Sequence, residues 1–289
     1  MRRSCVVALF LAGLAGSPAF AQESTPPGWT TGPAVGKLGA LASVSVPEGY
    51  VFLDAAATKK FLEEGQNIPN GDELGGIFRP LGDKDYWFAI FSYDETGHVD
   101  DSERDSIDAD ALMKTMKEGN RRGNEERKKR GWQTVQLEGW YQRPFYDQTT
   151  QNLTWATEVS SEGEKAINHS VRLLGRTGTM SAQLVADSAS IETARHEFDA
   201  LLRGYSYDPG KRYAEFRQGD KLAGYGLTAL IAGGVGAAAV KTGFFKKLGK
   251  LIVLLVIGVL AALKKLFSAI FGRKEKTLTG QYAPDATQS

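Results

Sequence analysis

Along the middle of the chain, short apolar stretches, some of them alternating with polar residues, are separated by turn residues. The clearest is Tyr86–Tyr93, which is rich in aromatic residues and bounded by polar turns. Four more stretches follow one another closely, over residues 133–142, 153–160, 166–174 and 178–185. Such stretches predict strands, and consecutive strands with short connections favour an antiparallel sheet.

Three other segments show the apolar spacing of amphipathic helices. Asp54 is placed to cap a helix over residues 55–64, which Gly65 closes. A long polar helix is predicted over residues 108–130, and a shorter one over 190–202. Helices of this kind beside antiparallel strands predict the α+β class, with the helices packed on the sheet.

We expect this α+β domain to extend over residues 36–217. Two short strands are predicted near its ends, at Tyr50–Leu53 and Tyr205–Tyr207. Residues 22–35 begin with a polar, proline-containing stretch, and we expect them to form a disordered leader.

Residues 1–21 have the pattern of a secretory signal peptide. Arg2 and Arg3 give a positive start, an apolar run follows, and Ala19 and Ala21 are the small residues that a signal peptidase requires. The apolar run is too short to cross a hydrocarbon core of about 30 Å, which disfavours an uncleaved anchor. The only cysteine of the chain lies within this segment. After cleavage the mature protein would have neither a disulfide nor a thiolate nucleophile.

A long uncharged segment near the C-terminus, Leu222–Val240, is flanked by lysines and has the length of a membrane-spanning helix. Within it the small residues Ala229, Gly233 and Ala237 recur at every fourth position. Such a face lets a second helix approach closely. Its partner would be either the next apolar segment or another copy of the protein.

The next apolar segment, Leu251–Leu263, is short for a full crossing. It either completes a helical hairpin or lies at the membrane surface, and the sequence leaves both open. We therefore place a membrane anchor over residues 222–271 and a polar tail over 272–289. With the export signal, this arrangement predicts an inner-membrane protein whose main domain lies on the periplasmic side.

The net charge of +1 conceals two regions of opposite sign. Residues 22–221 contain 24 Lys and Arg against 32 Asp and Glu, a net charge of −8, whereas residues 222–289 contain 9 against 2, a net charge of +7. Nucleic-acid binding depends on clustered positive charge. The acidic domain is therefore not expected to bind nucleic acid, and the lipid bilayer is the partner expected of the basic C-terminal region.

Several segments spread over nearly the whole mature chain carry a family resemblance, among them Tyr50–Leu53, Trp87–Gly97, Arg172–Arg176 and Tyr213–Phe216. Together they resemble the bacterial family described as domain of unknown function 2167, whose members are described as membrane-anchored. The closing order of two strands, a helix and an edge element also resembles PsbP-like domains. The family resemblance implies an anchored envelope protein and no established reaction, so it supplies no catalytic residues.

One local motif fits a metal site. Residues 92–103 can be aligned with a calcium-binding loop, with potential ligands at Asp94, Thr96, His98, Asp100 and Glu103. Calcium requires six to eight oxygen ligands, and here hydroxyl side chains replace some of the usual carboxylates. An acidic turn between a strand and a helix explains the same residues. We therefore commit to no metal and no other cofactor.

Aromatic residues are dense between positions 132 and 155, and rings can line a groove for a sugar or a peptide. Most such rings belong to the core of a sheet. Trp140 and Tyr146 flank the bend at Arg143-Pro144 and are the two that we predict to face a ligand.

The function favoured by these features is that of a membrane-anchored envelope protein that binds a ligand or a partner, either another envelope protein or itself. The alternatives are a hydrolase or transferase that uses carboxylates, and a calcium-responsive module. A cleft containing two carboxylates with raised pKa values would indicate an enzyme. A flat aromatic face would instead indicate binding.

Overall fold

The computed structural model describes residues 26–67, 69–79 and 87–232. Within these ranges eight strands form one antiparallel sheet. Their order across the sheet is β1 (Trp29–Thr31), β4 (Val51–Asp54), β5 (Glu73–Phe78), β6 (Trp87–Asp94), β10 (Thr179–Asp187), β9 (Glu164–Leu174), β8 (Asn152–Ser161) and β7 (Gln136–Asp147). The predicted antiparallel sheet is confirmed.

One face of this sheet is covered by a smaller antiparallel sheet, in which β3 (Ala42–Val46) lies between β2 (Ala34–Leu38) and β11 (Tyr205–Tyr207). The helix α3 (Ile191–Leu202) packs on the same face. Alternate residues of a strand point to opposite faces. Trp87, Ala89 and Phe91 accordingly enter the core on this side.

The carboxylate of Glu197 fixes α3 in position. It accepts hydrogen bonds from the Trp87 indole at 2.8 Å, the Arg79 guanidinium at 2.7 Å and the Tyr50 hydroxyl at 3.1 Å. Phe198, the next residue, is fully buried and meets the Trp87 ring edge to face. The orientation of α3 is therefore set by hydrogen bonds and by packing together.

Two further helices, α1 (Ala55–Glu64) and α2 (Ala109–Lys129), cover the opposite face. Asp54 caps α1 by accepting a hydrogen bond from the Ala57 amide at 2.8 Å, and Gly65 follows the last turn, as predicted. The helices predicted over residues 108–130 and 190–202 are also confirmed, and they correspond to α2 and α3. The α+β class with helices packed on the sheet is therefore established.

The buried face of α2 is apolar in its first half, with Leu112 and Met116, and polar in its second half. Asn124 forms two hydrogen bonds with the backbone of Val135, donating at 2.6 Å and accepting at 2.9 Å. Asn120 accepts a hydrogen bond from the Leu137 amide, and the 2% exposed Arg127 donates to backbone carbonyls. The second half of the helix is thus attached to the start of β7 and to the segment before it through side-chain bonds to backbone groups.

The predicted disordered leader over residues 22–35 is wrong for its second half. There the chain forms β1 and the start of β2. Trp29 packs edge to face on Phe78 with ring centroids 5.3 Å apart, and β1 pairs with β4. Burial of this large ring explains why so polar a segment is ordered.

Strand β5 was not predicted from the sequence, because Gly75-Gly76 in its centre is typical of a loop. Gly75 is required by the packing. A Cβ atom on Gly75 would lie 2.7 Å from the ring of Phe52, which fills that space from β4. The strand therefore depends on a residue that normally disfavours strands.

The C-terminal part of the described chain packs on the domain. Leu222 forms a β-bridge with His98, and α4 (Leu227–Ile231) buries Leu227 and Leu230 in the cluster beneath α2. Short 3₁₀ turns at Ser102–Asp105 and Tyr213–Glu215 border this region. The first residues of the segment that we predicted to span the membrane thus contribute to the hydrophobic core.

Across the described ranges, no helix is both long enough and apolar enough to cross a membrane. Ala229 of the predicted small-residue face is buried in α4. The rest of that face, Gly233 and Ala237, lies outside the described residues. The predicted signal peptide over 1–21 and the tail over 272–289 also lie outside them.

Candidate functional site

A cleft of about 670 Å³ opens on the face of the large sheet that carries α3. Its floor is formed by β8 and β9, and one wall by α3 and β11. The opposite wall is the end of β7 and the turn after it. Apolar floor and wall residues include Val171, Leu173 and Leu202, and Phe145 stands at the rim with 47% of its surface exposed.

His169 lies in the floor of the cleft on β9, opposite Leu184 of β10. It is only 3% exposed and meets the Phe198 ring edge to face. Burial lowers the pKa of His169 to about 4, and the nearby positive charge of Arg195 adds to this effect. The imidazole is therefore neutral at neutral pH, and its Nδ1 atom has no hydrogen-bond partner in the described part of the chain.

The last turns of α3 bring three charged residues to the cleft at a spacing of four: Arg195, Asp199 and Arg203. Residues four apart share one face of a helix. Arg195 forms an ion pair with Glu192 at 2.7 Å, while its Nε atom is buried without a partner among the described residues. Arg203 forms no ion pair within 26–67, 69–79 or 87–232.

The two carboxylates of the cleft differ in their surroundings. Burial raises the pKa of Asp199, although the charges of Arg195 and Arg203 oppose the rise. Asp147 lies in a turn, where hydrogen bonds from the Thr149 amide and the Thr150 hydroxyl lower its pKa. The cleft therefore holds one carboxylate with a raised pKa, and not the pair that acid–base catalysis by carboxylates would use.

A third arginine, Arg212, lies at the far end of the cleft, 3.7 Å from the carboxylate of Glu215. Three arginines and two aspartates thus line the cleft, a net charge of +1 when all are ionised. Residues 22–221 as a whole carry a net charge of −8. Two of these arginines are paired with carboxylates beside the cleft, Glu192 and Glu215, so within the described ranges Arg203 is the arginine of the lining that has no ion pair.

The aromatic residues predicted to face a ligand, Trp140 and Tyr146, lie elsewhere. Both pack against the cluster beneath α2, and the Trp140 indole donates a hydrogen bond to the Ala109 carbonyl at 3.0 Å. Their neighbour Phe145 lines the cleft instead. The register of β7 shifts between Gln142 and Phe145, and a sequence pattern does not reveal such a shift. Whether Trp140 or Tyr146 contacts a ligand stays a prediction.

The structure gives three acidic side chains of the predicted calcium loop other partners. Asp94 accepts a hydrogen bond from the Tyr225 hydroxyl at 3.0 Å. Glu103 accepts one from the Thr228 amide at the start of α4 at 3.2 Å, and Asp100 accepts one from the amide of the following 3₁₀ turn at 2.8 Å. These carboxylates therefore tie the loop to its neighbours.

The other two residues of that loop are Thr96 and His98. The His98 ring stacks on Tyr213 at 4.3 Å and lies 4.2 Å from the Phe216 ring. Within the described ranges, no group of three or more His, Cys, Asp or Glu side chains is arranged to hold a metal ion. Calcium binding by this loop is an alternative to which we do not commit, and it stays untested.

A second charged cluster lies on the opposite face of the sheet. Arg172 donates a hydrogen bond to Ser181 and lies over the Trp155 ring at 5.0 Å. Burial raises the pKa of Asp72 to about 6 and also raises that of Asp94. We expected an enzyme to have two carboxylates with raised pKa values in a cleft. These two carboxylates have raised pKa values, but neither lines the cleft. Of this cluster, only Asp94 was named from the sequence as a candidate site residue, and as a potential calcium ligand.

The fold and the geometry define an α+β domain with a cleft of the size of small-molecule sites. The chain belongs to the family described as "Protein of unknown function (DUF2167)", which matches residues 30–264. The family predicted from the sequence is thus confirmed. Its description names no activity.

Two solved structures are similar to part of the chain. The solution structure of cyanobacterial PsbP (CyanoP) from Synechocystis sp. PCC 6803 has 12% identity and a TM-score of 0.36, covering 58% of this chain and 86% of its own. The crystal structure of the Saccharomyces cerevisiae Ran-binding protein Mog1p has 11% identity and a TM-score of 0.30, covering 61% and 93%. Similarities this weak carry no argument about function. Comparison with curated proteins finds no match.

Proposed function

We propose that this protein is a membrane-anchored envelope protein whose exported domain binds a ligand in the cleft between α3 and strands β7 to β9. The anchor and the periplasmic location rest on the sequence patterns of residues 1–21 and 222–271. The lipid bilayer is then its constant partner. A second copy of the protein, or another envelope protein, would pack on the part of the small-residue face beyond the domain, Gly233 and Ala237, because Ala229 is buried in α4.

The cleft is the observation that carries this proposal. Small-molecule sites in proteins are concave, largely apolar and about 300–1,000 Å³ in volume, with a few convergent polar groups. A cleft of about 670 Å³ whose floor includes Val171 and Leu173 and whose lining includes three arginines fits this description. The arginines come from α3, from the residue that ends it and from the loop after β11, so the folded domain brings them together.

Binding is favoured over hydrolysis or group transfer by the chemistry of the lining. A pair of carboxylates with different roles needs one that holds a proton and one that does not, within reach of the same substrate. Asp147 faces its own turn, as its hydrogen bonds to Thr149 and Thr150 show. Asp199 is left without a carboxylate partner in the cleft.

The test is photo-cross-linking of the full-length protein in intact membranes. Phe145, at the rim, is replaced by p-benzoylphenylalanine, which forms covalent adducts with whatever lies beside it under ultraviolet light. Mass spectrometry should then find a discrete small-molecule adduct at position 145. The same replacement at Val35, which is 59% exposed and lies outside the cleft, is the control and should give none.

A cleft-blocking variant makes this result specific. Ser206 is exposed and lines the cleft, so Ser206→Trp should remove the adduct at position 145. The matched substitution Ser102→Trp, at an exposed residue outside the cleft, should leave the adduct unchanged. Adducts of equal yield at positions 145 and 35, or insensitivity to Ser206→Trp, would show that the cleft is not the binding site.

A further inference from the structure

We infer that the ligand of the cleft is a small anion with an apolar body, such as an organic carboxylate, sulfonate or phosphate. The inference rests on the proposed function and adds to it the chemical class of the ligand. It depends on the charges of the lining, on uncommitted donors along α3 and on the apolar floor.

The charge of the lining that favours an anion is mainly that of Arg203, because Glu192 and Glu215 pair with Arg195 and Arg212. The lining has three arginines and two aspartates, and Asp147 is held by hydrogen bonds within its own turn. His169 beneath them is neutral at neutral pH and adds no charge. Arginine is suited to carboxylates and phosphates because its planar group donates two parallel hydrogen bonds.

Two arginines of α3 retain donors for such a ligand. Arg203 has no ion-pair partner in the described part of the chain. Arg195 donates a hydrogen bond from one terminal nitrogen to Glu192, and its Nε atom has no partner among the described residues. Buried donors are normally hydrogen-bonded. The Nδ1 atom of His169, a residue that is 97% buried, is a third polar atom of the lining without a described partner. An anionic group between α3 and β9 would supply acceptors to the arginine donors near it, and to Nδ1 of His169 in the tautomer that carries the proton on that atom.

The floor of the cleft defines the other part of the ligand. Val171 and Leu173 of β9, Leu202 of α3 and Phe145 of β7 give it apolar surface beside the arginines. A fully hydrated inorganic anion would leave this surface wet, whereas an apolar body would cover it. The lining therefore favours a ligand with two chemically distinct ends.

Three probes with the same ring system test the inference by calorimetric titration. They are naphthalene-1-sulfonate, neutral naphthalene-1-sulfonamide and cationic 1-naphthylmethylammonium, each titrated into the full-length protein in phosphatidylcholine nanodiscs. Methanesulfonate is the anion without the apolar body. We expect naphthalene-1-sulfonate to bind at least about tenfold more tightly than the sulfonamide and the ammonium probe, because a charge-assisted hydrogen bond is worth that much. We expect the same margin over methanesulfonate, because methanesulfonate has no ring to bury against the apolar part of the lining.

Charge-altering variants locate the effect. Arg203→Gln should weaken sulfonate binding about tenfold and leave sulfonamide binding unchanged. Asp199→Asn should strengthen sulfonate binding, since it removes a negative charge between two arginines. Arg121→Gln, on the exposed side of α2 and outside the cleft, is the control and should change neither. Thermal midpoints within about 2 °C of the wild type show that each variant is folded.

The outcomes separate this inference from the proposed function. Equal binding of sulfonate and sulfonamide that Ser206→Trp abolishes would overturn the anion and leave the cleft as a binding site. Tighter binding of the ammonium probe, or no binding of any probe at millimolar concentration, would also overturn the inference. Binding that Ser206→Trp does not affect would place the site elsewhere and remove the proposed function as well.

A last arm identifies the source of the anion. Phosphatidylglycerol is an anionic lipid with apolar chains, and it can be added to the nanodiscs. If it competes with naphthalene-1-sulfonate on the wild type but not on Arg203→Gln, the anion is a lipid headgroup. If it does not compete while the sulfonate still depends on Arg203, the ligand is a free anion in solution. Both results support the inferred chemistry.

Discussion

The carboxyl group of Asp72 lies beside Glu73 and Asp94 on the sheet face opposite the cleft. Burial raises its pKa to about 6 from an ordinary value of 3.8, and the charges of Glu73 and Asp94 contribute. The folded state therefore binds this proton more tightly than the unfolded state does. The contribution of Asp72 to stability is most favourable below about pH 4 and declines as the pH rises to about 6.

Asp72→Asn should therefore stabilise the full-length protein at pH 8 and have little effect at pH 4.5. The expected gain is on the order of 1 kcal/mol, or about 2–4 °C in the thermal midpoint, because the carboxylate is partly exposed to solvent. Tryptophan fluorescence during heating measures the midpoint. Asp105→Asn is the control, since the side chain of Asp105 is 87% exposed, and it should shift the midpoint by less than 1 °C at either pH. A lower midpoint for Asp72→Asn at pH 8 would contradict the assignment.

At this scale the sequence predicted less of the candidate site than of the fold. The charged stripe of Arg195, Asp199 and Arg203 is visible in the sequence as a spacing of four, but nothing there shows that it faces a cleft. His169 has no neighbouring histidine at a ligand spacing, so it gave no signal. Its significance comes from burial in the floor of the cleft, which depends on contacts between distant strands.

In its second half, α2 is held to the segment before β7 by side-chain bonds to backbone groups, which add to the apolar contacts of its first half. Asn124→Ala would leave the amide and the carbonyl of Val135 without partners in a buried place. Unpaired buried groups cost about 1–3 kcal/mol each. We expect a loss of roughly 2–4 kcal/mol and a fall of about 5–10 °C in the thermal midpoint.

The control for that variant lies on the same helix. Arg121→Ala removes ion pairs with Glu118 and Glu125, but its side chain is 64% exposed. Exposed ion pairs contribute little, so the midpoint should change by no more than about 2 °C. Equal effects of the two substitutions would mean that Asn124 does not hold the helix.

At the scale of elements, the predictions succeeded where the signal was local. Asp54 and Gly65 mark the two ends of α1 by their own chemistry, and both ends were predicted to the residue. Strand β5 was missed because its glycines are explained only by the ring of Phe52 on another strand. Strand β1 was predicted to be disordered for the same reason. Its residue Trp29 is held in place by Phe78, which is distant in sequence.

For the whole molecule, the structure places the end of the folded domain after the boundary at residue 217 that the sequence favoured. Residues 218–232 contribute Leu227 and Leu230 to the core, and Asp220 forms a two-point ion pair with Arg176 at 2.7 and 2.8 Å. A fragment of residues 22–217 should therefore unfold at a midpoint at least about 5 °C below that of a fragment of residues 22–232. Each buried leucine alone contributes about 1.5–3 kcal/mol.

A variant of the longer fragment tests the cause. With Leu227→Ser and Leu230→Ser, the fragment of residues 22–232 should lose most of its advantage, since the chain remains but the apolar contact does not. The shorter fragment should also bind an apolar dye more strongly, because Leu112 and Met116 are uncovered. Equal midpoints for the two fragments would place residues 218–232 outside the folded domain.

The β-bridge between His98 and Leu222 has a mechanical consequence. If a chain leaves a domain from an unattached end, the domain rotates freely about it, and a force on that chain is not transmitted to the fold. Here the chain leaves through a bridge next to β6, which lies between β5 and β10 within the large sheet, and through the bond between Tyr225 and Asp94 at the end of that strand. A force applied to the chain at residue 232 would therefore be borne by a strand in the interior of the sheet and not by an edge strand.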